Sequence, residues 1–187
     1  MQLIQHYDIR PTRTDPNLRT MDFANIFSHQ FDRYMLVFHG GKVDDNEGGF
    51  EQYWIPQFQF LDENNAVVST AVYTGQENGG YSANTSHQPI TSLNNVGYWS
   101  FGRFVAGAET TYPFMKFWIN NPYNNDRITT FHSQTCGHDG SNYVYFQFGA
   151  GFYHGNDRFT GFRWTTNSSV QNTLQEGKLL VYGLDWG

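Results

Sequence analysis

From Tyr34 to Leu184, short runs of aromatic and β-branched residues alternate with clusters of glycine, asparagine and aspartate. This rhythm constrains the fold more than any other feature. Strands usually run about 3–10 residues, and the clusters supply the turn chemistry that connects them. Strand candidates fall at 34–39, 50–61, 66–74, 98–105, 113–119, 127–132, 142–153, 159–165 and 178–184. Within 50–61, Phe58 and Phe60 share one face and Gln57 and Gln59 the other, and Asp62-Glu63-Asn64-Asn65 closes the run. Residues 66–74 are its expected hairpin partner. Residues 76–95, poor in apolar side chains, predict a long surface loop, and 21–31 offers the one place for a short helical turn.

Composition supports sheet. Aromatics make up 18% of the 187 residues and charged residues only 15%, a balance suited to pleated, half-buried surfaces. A single domain of this size buries roughly 70% of its unfolded surface, and no fixed-period repeat suggests a propeller or solenoid. The expectation is an all-β fold: one antiparallel two-sheet sandwich, jelly-roll-like, over residues 21–187. Residues 1–20 read as an extended N-terminal arm, because they are polar and Pro11 and Pro16 disfavour a helix or a central strand. The arm is either a loose end or a latch onto a neighbouring subunit. Arg10, Arg13 and Arg19, the densest basic cluster, are its candidate contact residues.

The net charge of −6 and the lack of a basic run argue against nucleic acid as a ligand. No stretch of about eighteen apolar residues predicts a membrane span. The first residues lack a charged segment followed by an apolar one, so no signal peptide is expected. The lone Cys136 rules out an intramolecular disulfide and fits synthesis in a reducing cytosol. In that setting the sequons at Asn84 and Asn167 read as accidental matches.

Several segments invite a chemical reading. Cys136-Gly137-His138-Asp139 carries zinc-type ligands, with His132 and His154 as possible partners, yet a structural site needs two ligand pairs and no second cysteine exists. Asp44-Asp45-Asn46-Glu47-Gly48-Gly49 lacks the spacing of a calcium loop and reads as a solvated turn. Neither a Gly-x-Ser-x-Gly elbow nor a His-Glu-x-x-His helix is present. The acids and histidines fall mostly in turns. The chain is therefore expected to be non-enzymatic, with no catalytic residue, cofactor or metal.

The tryptophans remain. Alternation places Met115, Phe117 and Ile119 on a core face, and Phe114, Lys116 and Trp118 on the opposite one. An outward Trp118, near Tyr112 and Tyr123, is a candidate sugar platform or subunit anchor, unless the same chain covers that face. The other tryptophans are expected in the core.

The C-terminal third adds a resemblance. Phe159-Thr160-Gly161-Phe162-Arg163-Trp164 is followed, after an Asn/Ser-rich loop, by Gly177-Lys178-Leu179-Leu180-Val181-Tyr182-Gly183-Leu184. This resembles the ending of many bacteriophage virion β-sandwich proteins, where a strand containing Thr-Gly precedes a final strand carrying Tyr-Gly and then Ile or Leu. Tyr34-Met35-Leu36-Val37-Phe38 is similar to their opening strand, and Asn120-Asn121-Pro122 after a strand also fits. The resemblance extends from about Arg33 to Leu184. In physical terms, Gly161 and Gly183 would permit close backbone approach or a bulge, while Phe162, Trp164, Leu179 and Val181 fill the core.

The resemblance implies a virion structural protein, made in the host cytoplasm. Its partners would be the major capsid protein or tail or appendage subunits, bound as a homo-oligomer. Capsid decoration is favoured within this class because no fibrous or coiled-coil shaft is attached. The alternative is a receptor-binding or carbohydrate-binding module at a tail or fibre tip, contacting a host surface glycan.

Overall fold

The computed structural model describes residues 1–10, 20–39, 43–44, 53–54, 56–69, 72–81, 87–100, 104–105, 114–138, 144–166, 173–174 and 176–185. Its first strands are β1 (Gln2–Ile9), β2 (Thr20–Phe23), β3 (Arg33–His39), β4 (Val43–Asp44), β5 (Tyr53–Trp54) and β6 (Pro56–Asp62). Next come β7 (Tyr73–Tyr81), β8 (His87–Val96), β9 (Trp99–Ser100), β10 (Phe104–Val105) and β11 (Phe114–Asn120). The last are β12 (Thr130–His138), β13 (Val144–Tyr153), β14 (Phe159–Thr166), β15 (Thr173–Leu174) and β16 (Gly177–Leu184). No helix occurs among the described residues.

Two antiparallel sheets pack as a sandwich. The larger has eight strands in the order β1-β16-β3-β11-β12-β13-β7-β8, and the smaller has four, β2-β14-β6-β9. Two short ribbons, β10-β5 and β15-β4, complete the pairing. Apart from the β7–β8 hairpin and the β11–β12–β13 meander, the chain keeps crossing between the two large sheets. That crossing joins the two sheets into the single antiparallel sandwich expected from the sequence.

Aromatic rings fill the space between the sheets. Phe23 stacks on Phe162 at 4.8 Å, Phe162 on Phe58 at 5.3 Å, and Phe58 meets Phe117 of the large sheet edge-on at 4.8 Å. Such pairs add about 0.5–1.5 kcal/mol each beyond the area they bury. Trp99, Trp164, Phe162, Leu179 and Val181 are all fully buried, as the sequence predicts. Gly161 and Gly183 also behave as expected. A Cβ on Gly161 would collide with the carbonyl oxygen of Phe23, and one on Gly183 would lie 2.5 Å from the Phe31 ring. The β14–β6 register shifts at Gly161.

Four sequence expectations need revision. Residues 76–95 are no surface loop: most of the segment forms the β7–β8 hairpin at one edge of the large sheet. Its glycines look like loop punctuation but make room for neighbours. A Cβ on Gly75 would collide with the Trp99 ring, and one on Gly79 would lie 2.8 Å from the Phe146 carbonyl oxygen. Residues 66–74 are not the partner of 50–61. One bridge, Leu61 to Val67, forms, and β7 then leaves for the other sheet. Residues 21–31 hold β2 and a turn in place of a helical turn, because Phe23, Ile26, Phe27 and Phe31 all enter the core. The N–H groups of Ile26 and Phe27 both donate to the Thr160 carbonyl, at 2.7 and 2.9 Å. Finally, Gln2–Ile9 of the expected arm is β1, paired with β16 along the opposite edge of the large sheet. Residues 11–19, with Pro11, Arg13, Pro16 and Arg19, lie outside the described residues.

Candidate functional site

The broad outer face of the eight-stranded sheet follows from strand alternation. In β11, Met115, Phe117 and Ile119 are buried, so Phe114, Lys116 and Trp118 stand on the outer face, as their spacing predicts. Registers extend this into rows. Trp118 lies between Met35 of β3 and His132 of β12. Lys116 lies between Val37 and Gln134, and Phe114 between His39 and Cys136. Gln134 then pairs with Phe148 of β13, and Cys136 with Phe146.

Among the described residues, Phe146 and Phe148 are the most exposed aromatic side chains on this face, at 42% and 52% of their surface, with ring centroids 6.1 Å apart. Their alternation with Gln147 and Gly149 defines two faces without saying which is inner. The usual rule would turn the phenylalanines inward. The structure does the opposite, because the inner side of β13 must accommodate Trp99 and Phe131 against Gly151. A Cβ there would lie 2.7 and 2.8 Å from those rings. Sequence reasoning therefore missed both exposed phenylalanines, and the signal that would have found them is the glycine on the other phase.

Trp118 is half-buried. Its indole stacks on the His132 imidazole with centroids 4.5 Å apart and planes 10° apart. One face of the ring is thus already covered, which leaves less of it for a sugar to stack on. Desolvation first, and the nearby Arg33 charge second, push His132 below its ordinary value and keep it neutral near pH 7. Arg33 Nε donates to Asn120 Oδ1 at 3.2 Å, and Asn120 Nδ2 donates to Thr130 Oγ1 at 2.9 Å, a polar row beside the Trp118 row. Lys116 Nζ lies 5.4 Å from the Phe114 ring centroid. Lys178, on the same face, lies 3.9 Å from Asp8.

The structure does not bring Trp118 and Tyr123 onto one surface. Tyr123, beyond the end of β11, packs against the core, with the Arg158 guanidinium 5.0 Å from its ring centroid and His29 6.4 Å away. Arg10 is exposed just after β1. Tyr112, Arg13, Arg19, Asp139 and most of the acidic 44–49 segment lie outside the described residues. Cys136 and His132 share the outer face of β12, whereas His154 lies past the end of β13, where it bonds Thr74 Oγ1 at 3.0 Å. Among the described residues, no three His, Cys, Asp or Glu side chains gather as a metal-binding group.

No protein family's sequence profile matches this chain, and no curated protein matches it either.

Proposed function

We propose that this chain is a non-enzymatic structural protein of a bacteriophage particle. It decorates the capsid or forms part of a head or tail appendage, as a homo-oligomer in contact with other virion subunits. The observation that carries the reading is the outer face of the eight-stranded sheet, where Phe146 and Phe148 stand half-exposed on β13 and half-buried Trp118 stands two strands away on β11. Exposed aromatics grouped on a broad, regular surface mark protein interaction sites more often than solvent-facing ones. The resemblance of the terminal strands to virion sandwich proteins supplies the setting, and their buried residues act as fold determinants.

The proposal is tested by incorporation. Phe146→Asp/Phe148→Asp, expressed in place of the wild-type chain, is expected to fold with an unchanged circular dichroism spectrum and to be lost from purified particles. Equal incorporation of the folded double variant would contradict the reading.

A further inference from the structure

A second surface lies at the end of the sandwich where residues 24–32, 62–69, 121–129 and 154–158 come together. All three non-glycine residues with positive φ among the described residues, Asn25, Asn65 and Asn121, sit in these loops at 56°, 59° and 55°. Asparagine tolerates this left-handed region better than most side chains. Three of the loops are tied to one another or to adjoining strand ends through the backbone. Asn121 N donates to Asp32 O at 2.7 Å, Phe159 N to Pro122 O at 2.9 Å, and Tyr153 N to Thr129 O at 2.9 Å. Two buried tyrosines add further ties. Tyr34 Oη accepts from Ser28 N at 2.7 Å and donates to Ser28 O at 3.0 Å. Tyr73 Oη accepts from Phe60 N at 2.7 Å and donates to the Val68 carbonyl at 3.4 Å, and burial pushes that phenol far above its ordinary value. The loop end is built in advance, which lowers the ordering cost of binding.

Two adjoining clefts open there, of about 510 and 220 Å³, and Arg158 stands in the wall of both. The larger is in the size range of small-molecule sites, roughly 300–1,000 Å³. Two of its carboxylates are held in place. Asp62 Oδ1 accepts from the N–H groups of Asn64 and Ala66, each at 2.8 Å, and Tyr153 Oη donates to Asp157 Oδ2. Asn125 and Asn156 add amides that both donate and accept. In the smaller cleft, Tyr123 lies under the Arg158 guanidinium.

The lining selects the ligand. Asp62, Glu63 and Asp157 line the larger cleft and Asp32 the smaller, with Arg158 the one guanidinium in both walls, so the field disfavours an anion. Few apolar side chains are available for a hydrophobic ligand. Two anchored carboxylates, Asp62 and Asp157, with two amides and a planar five-donor guanidinium beside one aromatic ring, match a neutral molecule rich in vicinal hydroxyls. We infer that this loop end is a binding site for a neutral oligosaccharide, centred on Arg158. The site is separate from the Phe146–Phe148 face and goes beyond the structural role proposed above.

The test uses the full-length protein against an array of neutral hexose and N-acetylhexosamine oligosaccharides, with sialylated and sulfated glycans alongside, followed by titration calorimetry on the best neutral binder. Arg158→Ala and the milder Asn125→Ala, both at exposed positions, are expected to weaken binding at least tenfold without changing the melting temperature. Phe148→Asp should bind like the wild type. The inference is overturned if no neutral glycan binds, if only acidic glycans bind, or if the folded Arg158→Ala and Asn125→Ala variants bind equally well. Incorporation of Arg158→Ala into particles reads the structural role independently, so either proposal can fail alone.

Discussion

Gly151 of β13 lies against the buried indole of Trp99, so close that a Cβ on the glycine would come within 2.7 Å of the ring. Gly75, its partner on β7, faces the same ring. The large tryptophan thus occupies volume that two glycines on adjacent strands leave open. Gly151→Ala should destabilise the fold by about 1–3 kcal/mol through overpacking. Trp99→Ala should cost about 3–5 kcal/mol through the cavity it leaves. Combining Gly151→Ala with Trp99→Phe should cost less than the sum of the two single changes, which urea denaturation of the four proteins in the cycle measures.

The terminal strands make a second prediction. The atom facing Gly161 is the backbone oxygen of Phe23, whereas Gly183 faces the ring of Phe31. A side chain yields more readily than a main-chain carbonyl held in a sheet. Gly161→Ala should therefore lower stability more than Gly183→Ala, by roughly 1–3 kcal/mol against a smaller loss. Thermal melts of the two variants decide this, and the reverse order would place the tighter constraint on β16.

His132 supplies a pH dependence. Its pKa is depressed in the folded state below the ordinary 6.5, by desolvation and then by Arg33. Well above pH 6.5 both folded and unfolded forms are neutral and the group contributes nothing. As pH falls through 6.5 the unfolded chain binds the proton first, so stability declines until the folded-state pKa is reached and then levels off. NMR titration should place His132 below 6.5, and His132→Gln should remove this part of the acid-side slope. A His132 pKa above 6.5 would contradict the arrangement.

Asp22 and Arg163 join the edge strand β2 to β14 by two hydrogen bonds, of 2.5 and 2.6 Å. Both side chains are about a third or more exposed, so the pair is screened. Asp22→Asn should cost only about 0.2–1 kcal/mol, with the difference from wild type shrinking in high salt. Denaturation at low and high ionic strength checks it.

The legible and illegible parts of this sequence divide by one physical distinction. Where glycine serves a close approach within a strand rich in large apolar residues, as Gly161 does in residues 159–164 and Gly183 in residues 179–184, the pattern gives both the strand and its packing. Where the side chain requiring the space is distant in sequence, the same residue type reads as a turn. Gly75 and Gly79 lie in β7, yet the ring that requires Gly75 belongs to Trp99 on another strand. The same cause reverses β13: Phe146 and Phe148 point outward because Gly151 and its phase-mates face the core. On β11 every inward position is large and apolar, so alternation alone places Trp118 on the outer face. The Arg158 clefts are illegible for another reason, since they join four loops that no local pattern connects.

The most direct test of the central claim, that this chain is a bacteriophage structural protein, is cryo-electron microscopy of particles produced from the genome that encodes it. The account predicts density for the sandwich on the capsid or an appendage, with the Phe146–Phe148 face packed against another subunit. Absence of the protein from the particle, or its presence with that face turned wholly to solvent, would contradict it.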